Sequence, residues 1–183
     1  MSRIGTLYER FVFSPVLAMA DRALSGVRAG LLEQARGRVL EIGIGSGLSL
    51  DYYGDGVQEL VGLEPSAELL QQCRHRLASR SGAVPTELVE GGAEHMPPGP
   101  DNSFDTVVAF LVFCTIPDPE AAAREMYRVL KPGGRLIFSN MCRRRSSAWR
   151  GGRTALTPAG SRLRVAAIST GIRARCLSAR ALI

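Results

Sequence analysis

The residues of this chain best suited to chemistry stand together at Glu41-Ile42-Gly43-Ile44-Gly45-Ser46-Gly47. Glycines at every second position let backbone N–H groups approach a ligand closely, because no Cβ stands in the way and a positive φ costs nothing. A nicotinamide dinucleotide site needs GxGxxG or GxGxxA, and counting from Gly43 the last of those positions is Leu48, which fits poorly. Away from this loop reactive residues are few. His75 and His95 are the only imidazoles. His75 lies mid-helix among arginines and reads as solvated; His95 reads as a structural or surface residue before it reads as a base. Cys73, Cys114, Cys142 and Cys176 form no CxxC pair, so neither a zinc site nor a disulfide frame is indicated. Cys114 reads as a buried apolar thiol rather than a nucleophile.

The elements around the loop follow from the apolar periods, which alternate between helix-like and strand-like up to residue 140. Residues 5–35 have helical spacing, with Tyr8, Phe11, Leu17, Leu24, Val27, Leu31 and Leu32 at separations that keep to one helix face and a break at Ser14-Pro15. They predict a helical N-terminal cap over 1–35. Residues 38–42 form a short apolar run entering the glycine loop, and 59–64 form a second, followed by Pro65. Ser66 would N-cap a helix running to Ala78, with Glu68 in its first turn and Arg74, Arg76 and Arg80 toward its end, matching the helix dipole. Residues 87–90 predict a third strand. A fourth spans 104–113, and its continuous apolarity calls for cover on both faces. An amphipathic helix over 118–130 has Ala122, Met126 and Val129 on one face and stops at Pro132-Gly133-Gly134; 135–138 then supply a fifth strand. Strands alternating with helices give an α/β, doubly wound parallel sheet.

With the acid two residues ahead of Gly43, the loop reads E-x-G-x-G-x-G and resembles the first motif of class I S-adenosylmethionine-dependent methyltransferases of the type 11 domain. Four further segments agree: Glu64, 21 residues after Gly43; Gly92-Ala93-Glu94-His95-Met96-Pro97 after strand three; Asp101-Asn102-Ser103-Phe104-Asp105 leading into strand four; and Leu130-Lys131-Pro132-Gly133-Gly134-Arg135-Leu136 before strand five. The resemblance covers about residues 36–139 and implies a Rossmann-like fold with S-adenosyl-L-methionine as cofactor. It implies that Gly43, Gly45 and Gly47 cradle the methionine end and sugar, that Glu41 faces the ammonium group, and that Glu64, beside Pro65, takes the ribose hydroxyls. It further implies that the Ala93 backbone and the Glu94 carboxylate read the adenine amino group, and that Phe110 or Leu111 packs on the cofactor.

The sulfonium is already a strong electrophile, so transfer chiefly needs the acceptor held in line and water kept out, and no universal catalytic residue is implied. Within the superfamily the chain is most similar to the methyltransferase-like 7 group and its bacterial relatives, through Phe11-Val12-Phe13-Ser14-Pro15 and Leu111-Val112-Phe113-Cys114-Thr115-Ile116-Pro117-Asp118-Pro119. Animal members of that group methylate small thiols, which makes a thiol the candidate acceptor. Quinone-precursor and phospholipid methyltransferases share the same core motifs, so the small-molecule acceptor stays open, as does the oligomeric state.

Composition divides the chain. Residues 1–140 carry 13 bases and 17 acids, a balance of −4, whereas 141–183 carry ten arginines and no acid. The net charge of +6 therefore says little about partners, and no nucleic acid is expected at the core. Of the 23 bases only Lys131 is a lysine, a usage that points to a GC-rich bacterial genome. The apolar stretch at 11–20 contains Ser14 and Pro15 and is well short of the roughly 20 residues that cross a bilayer. The first residues lack a signal peptide's order, which points to a cytoplasmic location, with peripheral membrane contact left open.

After Ser139 the resemblance stops. Relatives continue with Glu-His-Val or Glu-His-Gly; GAA CAT GTG with its first G lost reads Asn-Met-Cys, which is what stands at 140–142. The tail over 141–183 is thus expected to be a frameshifted C-terminus, poorly ordered, leaving the sheet without its last two strands. The competing reading is a degenerate fold acting as a binding protein, its Arg-rich tail contacting nucleic acid. The domain division expected is a cap at 1–35, a cofactor-binding core at 36–140 and the tail at 141–183.

Overall fold

The computed structural model describes residues 24–82, 84–96, 100–141, 153–156 and 162–170. A helix over 24–32, α1, leads into β1 (Gly37–Ile42), a 3-10 turn (Leu48–Tyr52), β2 (Val57–Glu64), α2 (Ala67–Ala78), β3 (Thr86–Glu90), β4 (Phe104–Phe110), α3 (Pro119–Val129) and β5 (Leu130–Met141). Two further strands follow, β6 (Arg153–Leu156) and β7 (Arg162–Thr170). The sheet order is β3-β2-β1-β4-β5-β7-β6. β1 pairs in parallel with both β2 and β4, so that Ile42 lies level with Leu63 on one side and Ala109 on the other. The chain reverses direction across the sheet at this point. In open α/β sheets ligands bind outside the carboxyl ends of strands flanking such a reversal.

Alternation along the strands feeds two apolar layers, one on each face of the sheet. Leu40, Ile42, Leu63, Val107 and Ala109 pack with Ala122, Met126 and Val129 of α3. Val39, Leu60, Val108 and Ile137 pack with Leu31 and Leu32 of α1 and with Leu70 and Cys73 of α2. α2 begins where the capping residue predicts, with the Ser66 side chain accepting from Leu69 N–H at 3.3 Å. α3 is capped by Asp118, whose carboxylate accepts from the N–H groups of Glu120 and Ala121, with Pro119 in the first turn. It ends one residue earlier than the periodicity predicts, because Leu130 is extended and pairs with Phe104.

The parallel α/β sheet expected through its fifth strand is the one seen, and beyond it, where no strand is expected, two are described. β7 runs parallel to β5, pairing Arg135 with Arg164 through Met141 with Thr170, and antiparallel to β6. The physical reason lies in Arg162-Leu163-Arg164-Val165-Ala166-Ala167-Ile168-Ser169-Thr170, where alternation and β-branched residues suit a strand. An unpaired β5 edge offers a full row of donors and acceptors to such a segment. The expectation for the remainder of the 141–183 tail, and for the cap over 1–23, lies outside the described residues; α1 is the part of the expected cap that is seen. Among the described residues no helix is long and apolar enough to cross a membrane.

Candidate functional site

The glycine loop is pinned to the neighbouring strand. Gly43 and Ile44 both donate their N–H groups to the Leu63 carbonyl, at 2.7 and 3.2 Å, and Gly47 closes back on the Ile44 carbonyl at 3.0 Å. Gly43 (φ 68), Gly45 (φ 57) and Gly47 (φ 79) all hold left-handed backbone. A Cβ on Gly43 would stand 2.4 Å from Val112 Cγ2, so this glycine is required by close approach as well as by φ. Gly43→Ala is expected to lower stability by about 2 kcal/mol, from the left-handed penalty and the displaced valine, measured as a fall in the urea midpoint. An unchanged midpoint would show that the loop can refit around a methyl group.

Beyond the loop lies a mostly apolar cleft of about 280 Å³, lined among others by Gly43, Glu64, Pro65, Ala93, Glu94, Val112 and Ile116. Five of the nine residues singled out for the cofactor thus share one cavity. Glu64 is the best-defined polar group in it. Its two carboxylate oxygens accept from Gly45 N–H at 3.1 Å and Ser66 N–H at 3.0 Å. Burial raises its pKa, and the two backbone donors pull it back down. Each carboxylate oxygen carries a further lone pair, so the group can accept more bonds while its orientation is fixed. Glu94 lies against Gly92, where a Cβ would meet its Oε2 at 2.7 Å.

Glu41, Phe110 and Gly47 do not line that cleft. Glu41 is 2% exposed and accepts from the Tyr53 hydroxyl at 2.9 Å. Burial raises its pKa to about 7, against the opposing effects of Ser49, Tyr53 and Arg28. Phe110 is also buried, with the Arg28 guanidinium 4.7 Å from its ring centroid and Tyr52 on the same guanidinium at 5.8 Å. These residues make a second cluster behind the glycine loop, on the sheet face covered by α1. Gly47 serves packing there, since a Cβ would stand 2.8 Å from both Cys73 Sγ and Leu50 Cδ1. Leu111, offered with Phe110, has φ 57 and turns the chain out of β4; it packs on the α1 face, outside the cleft.

Arg28 and Tyr53 were not singled out from the sequence. The signal for Arg28 was present: it interrupts the apolar stripe of Leu24, Val27, Leu31 and Leu32, where a charge is out of place. Cys114 is a correction, being exposed with its thiol 3.6 Å from the Leu111 carbonyl, because the chain has left the sheet by that point. His75 and His95 are both exposed.

A family model described as a methyltransferase domain matches residues 40–138, more than half of the chain and all of β1 through β5 save their outer ends. The chain belongs to the methyltransferase domain family. This methyltransferase domain is 38% identical over 104 residues to a phosphatidylethanolamine N-methyltransferase from Cereibacter sphaeroides, covering 57% of this chain and 50% of that one. It is 26% identical over 139 residues to the human thiol S-methyltransferase TMT1B, covering 72% and 57%. The chain spans about half the length of the curated relatives it matches. Among solved structures, YcgJ from Bacillus subtilis matches with TM-score 0.53 and 32% identity over 61% of this chain and 47% of its own. A SAM-dependent methyltransferase from Thermotoga maritima matches with TM-score 0.50 and 28% identity, over 70% and 57%. The family's cofactor is S-adenosylmethionine, and the site fits it: a cleft with apolar walls for a purine, a fixed carboxylate for a diol, and a bare glycine between them.

Proposed function

We propose that this chain is an S-adenosylmethionine-dependent methyltransferase acting on a small molecule, with 36–140 as its working core. The observation that carries the reading is the Glu64 carboxylate, held by two backbone N–H groups at the rim of a cleft that Gly43 keeps open. Glu64 would hold the ribose, Gly43 and Gly45 would lie against the sugar and thioether, and Ala93 with Glu94 would meet the purine edge. Bound there, the cofactor supplies an electrophilic methyl group.

The acceptor in this reading is a thiol. A thiol with a reference pKa of about 8.5 is partly ionised near neutrality and needs no base. That suits a site whose two imidazoles, His75 and His95, lie exposed and outside the lining of the cleft. A shifted frame after Ser139 belongs to the same proposal, supported by the ten arginines and no acid of 141–183. Calorimetry with S-adenosylhomocysteine tests the cofactor; absence of binding sinks the reading. A methyl-transfer screen over small thiols, quinone precursors and phospholipids, run on this chain and on a frame-restored version, tests the acceptor. Resequencing codons 138–142 tests the frame, and an unshifted frame in independent isolates removes that part.

A further inference from the structure

A second cavity of about 280 Å³, as large as the cleft, opens at the opposite end of the sheet. It lies where β4 and β5 begin and the chain enters β1, lined among others by Arg36, Asp105, Thr106, Lys131, Gly134 and Arg135. Three cations stand there with one carboxylate, an excess of two positive charges. Residues 1–140 as a whole carry a balance of −4, so this excess runs against the charge of the domain that holds it. Cations gathered in a concave site concentrate anions there.

A structural role accounts for only part of this charge. α1 ends nearby, and Arg36 Nη1 donates to the carbonyls of Glu33 and Ala35, while Arg135 Nη1 donates to the Gln34 carbonyl at 2.8 Å. Basic side chains suit the end of a helix, but the helix dipole offers only about half a negative charge. Lys131 is paired, its Nζ donating to Asp105 Oδ1 at 2.8 Å. The two arginines keep most of the excess, and each commits one nitrogen of a guanidinium that has five N–H donors. The wall behind them is fixed as well. Thr106, 1% exposed, donates its hydroxyl to the Arg36 carbonyl at 2.9 Å and accepts the Arg36 N–H at 3.1 Å. Asp105 Oδ2 accepts the Arg38 N–H at 2.9 Å. Groups already oriented lose little freedom when a ligand binds. Solvent reaches them, since Arg36 is exposed and the Lys131 and Asp105 side chains are 42% and 40% exposed. The pairing of β7 puts Arg164 level with Arg135 on the neighbouring strand.

We propose that this pocket binds a phosphate monoester group, with Arg36, Lys131 and Arg135 around its oxygens. Such a group carries about −1.5 to −2 near neutrality, which matches the excess, and its three terminal oxygens accept from donors on several sides, as a planar carboxylate does not. The pocket lies at the amino ends of the strands and the cleft at their carboxyl ends, so its ligand is a second one, separate from the methyl acceptor. A soluble ester and the headgroup of a lipid offer the same chemistry.

Calorimetry of the full chain with glycerol 3-phosphate reads the soluble source, and flotation with phosphatidylcholine vesicles, with and without phosphatidic acid, reads the lipid one. Glycerol 3-phosphate is expected to bind the wild-type chain, and Lys131→Gln and Arg135→Gln are each expected to weaken it about tenfold, the lower end for a charge-assisted hydrogen bond. Asp105→Asn removes the pocket's negative charge and should tighten binding, an effect of opposite sign that a merely structural role does not produce. Arg74→Gln takes a cation from the exposed face of α2 and should leave affinity within about twofold. Thermal melting restricts the comparison to folded protein. Capture of phosphatidic acid vesicles, reversed by glycerol 3-phosphate, would identify a lipid headgroup as the ligand; binding of glycerol 3-phosphate without capture would identify a soluble ester. Binding of neither by the wild-type chain overturns the proposal, as does unchanged affinity in both Lys131→Gln and Arg135→Gln or an equal loss in Arg74→Gln. S-adenosylhomocysteine should bind these variants as it binds the wild type, so a failure of that ligand alone counts against the methyltransferase reading and not against this pocket.

Discussion

Glu64→Ala is expected to weaken S-adenosylhomocysteine roughly 100-fold, equivalent to about 2.7 kcal/mol, because two charge-assisted bonds to a ribose diol would be lost together. The same change removes the acceptor for Gly45 N–H and Ser66 N–H, so folding stability should also fall, by about 1–3 kcal/mol. The two effects separate by temperature. Calorimetry well below the variant's melting point reads only the ligand term, and a melting curve reads the other. Glu64→Gln is not an innocent control, since one end of its amide would present a donor to a backbone donor. Affinity unchanged in Glu64→Ala, with a folded protein, would show that the ribose is held elsewhere.

Glu41→Gln should act in opposite directions on folding and on binding. In the folded chain burial holds the Glu41 carboxyl at about 7 instead of the ordinary 4.5. A raised carboxyl pKa means that the folded state takes up the proton more readily than the unfolded one. Its stabilising contribution is then complete below about pH 4.5 and is lost as the pH rises through 7. The loss amounts to about 3 kcal/mol across that window. Glutamine keeps an acceptor for the Tyr53 hydroxyl but does not titrate, so the stability of Glu41→Gln should vary less between pH 5 and pH 8 by this margin. Its absolute gain at pH 8 is smaller, because Arg28 loses a counter-charge. Affinity for S-adenosylhomocysteine should meanwhile drop about tenfold if the carboxylate faces an ammonium group. Urea unfolding at the two pH values reads the first effect. Parallel pH profiles for variant and wild type would show that Glu41 does not titrate in this range.

The parallel core was legible because each of its signals is local. Strand one enters a glycine loop, Ser66 caps the helix that runs to Ala78, and the period changes from two to three or four in between. The cleft followed from the same motifs, since Gly43, Glu64, Ala93 and Glu94 all stand at the carboxyl ends of neighbouring strands. Where the apolar run misled was 104–113. The strand ends at Phe110, and apolarity continues because Phe113 turns back into the core and meets Phe138 edge-on at 5.0 Å. A run of apolar residues records burial, not direction. The Arg28 cluster needed contacts between α1, β1 and β4 that no local period encodes. β7 was obscured for another reason: its arginines dominated the composition of the segment, while its alternation was the physically decisive property.

One bond described by its turn alone joins two parts of the molecule. Leu111, at φ 57, donates its N–H to the Ser139 carbonyl at 2.7 Å, and the next residue, Val112, is the wall against which Gly43 is set. The exit of β4 therefore hangs from Ser139, the residue just beyond the stretch that the methyltransferase-domain model matches. Only Leu111 and Val112 lie between that carbonyl and the cleft. A shift of β5 at this point is expected to move Val112 and change the width of the cleft, so a C-terminal segment that displaces β5 should alter S-adenosylhomocysteine affinity without altering a single lining residue.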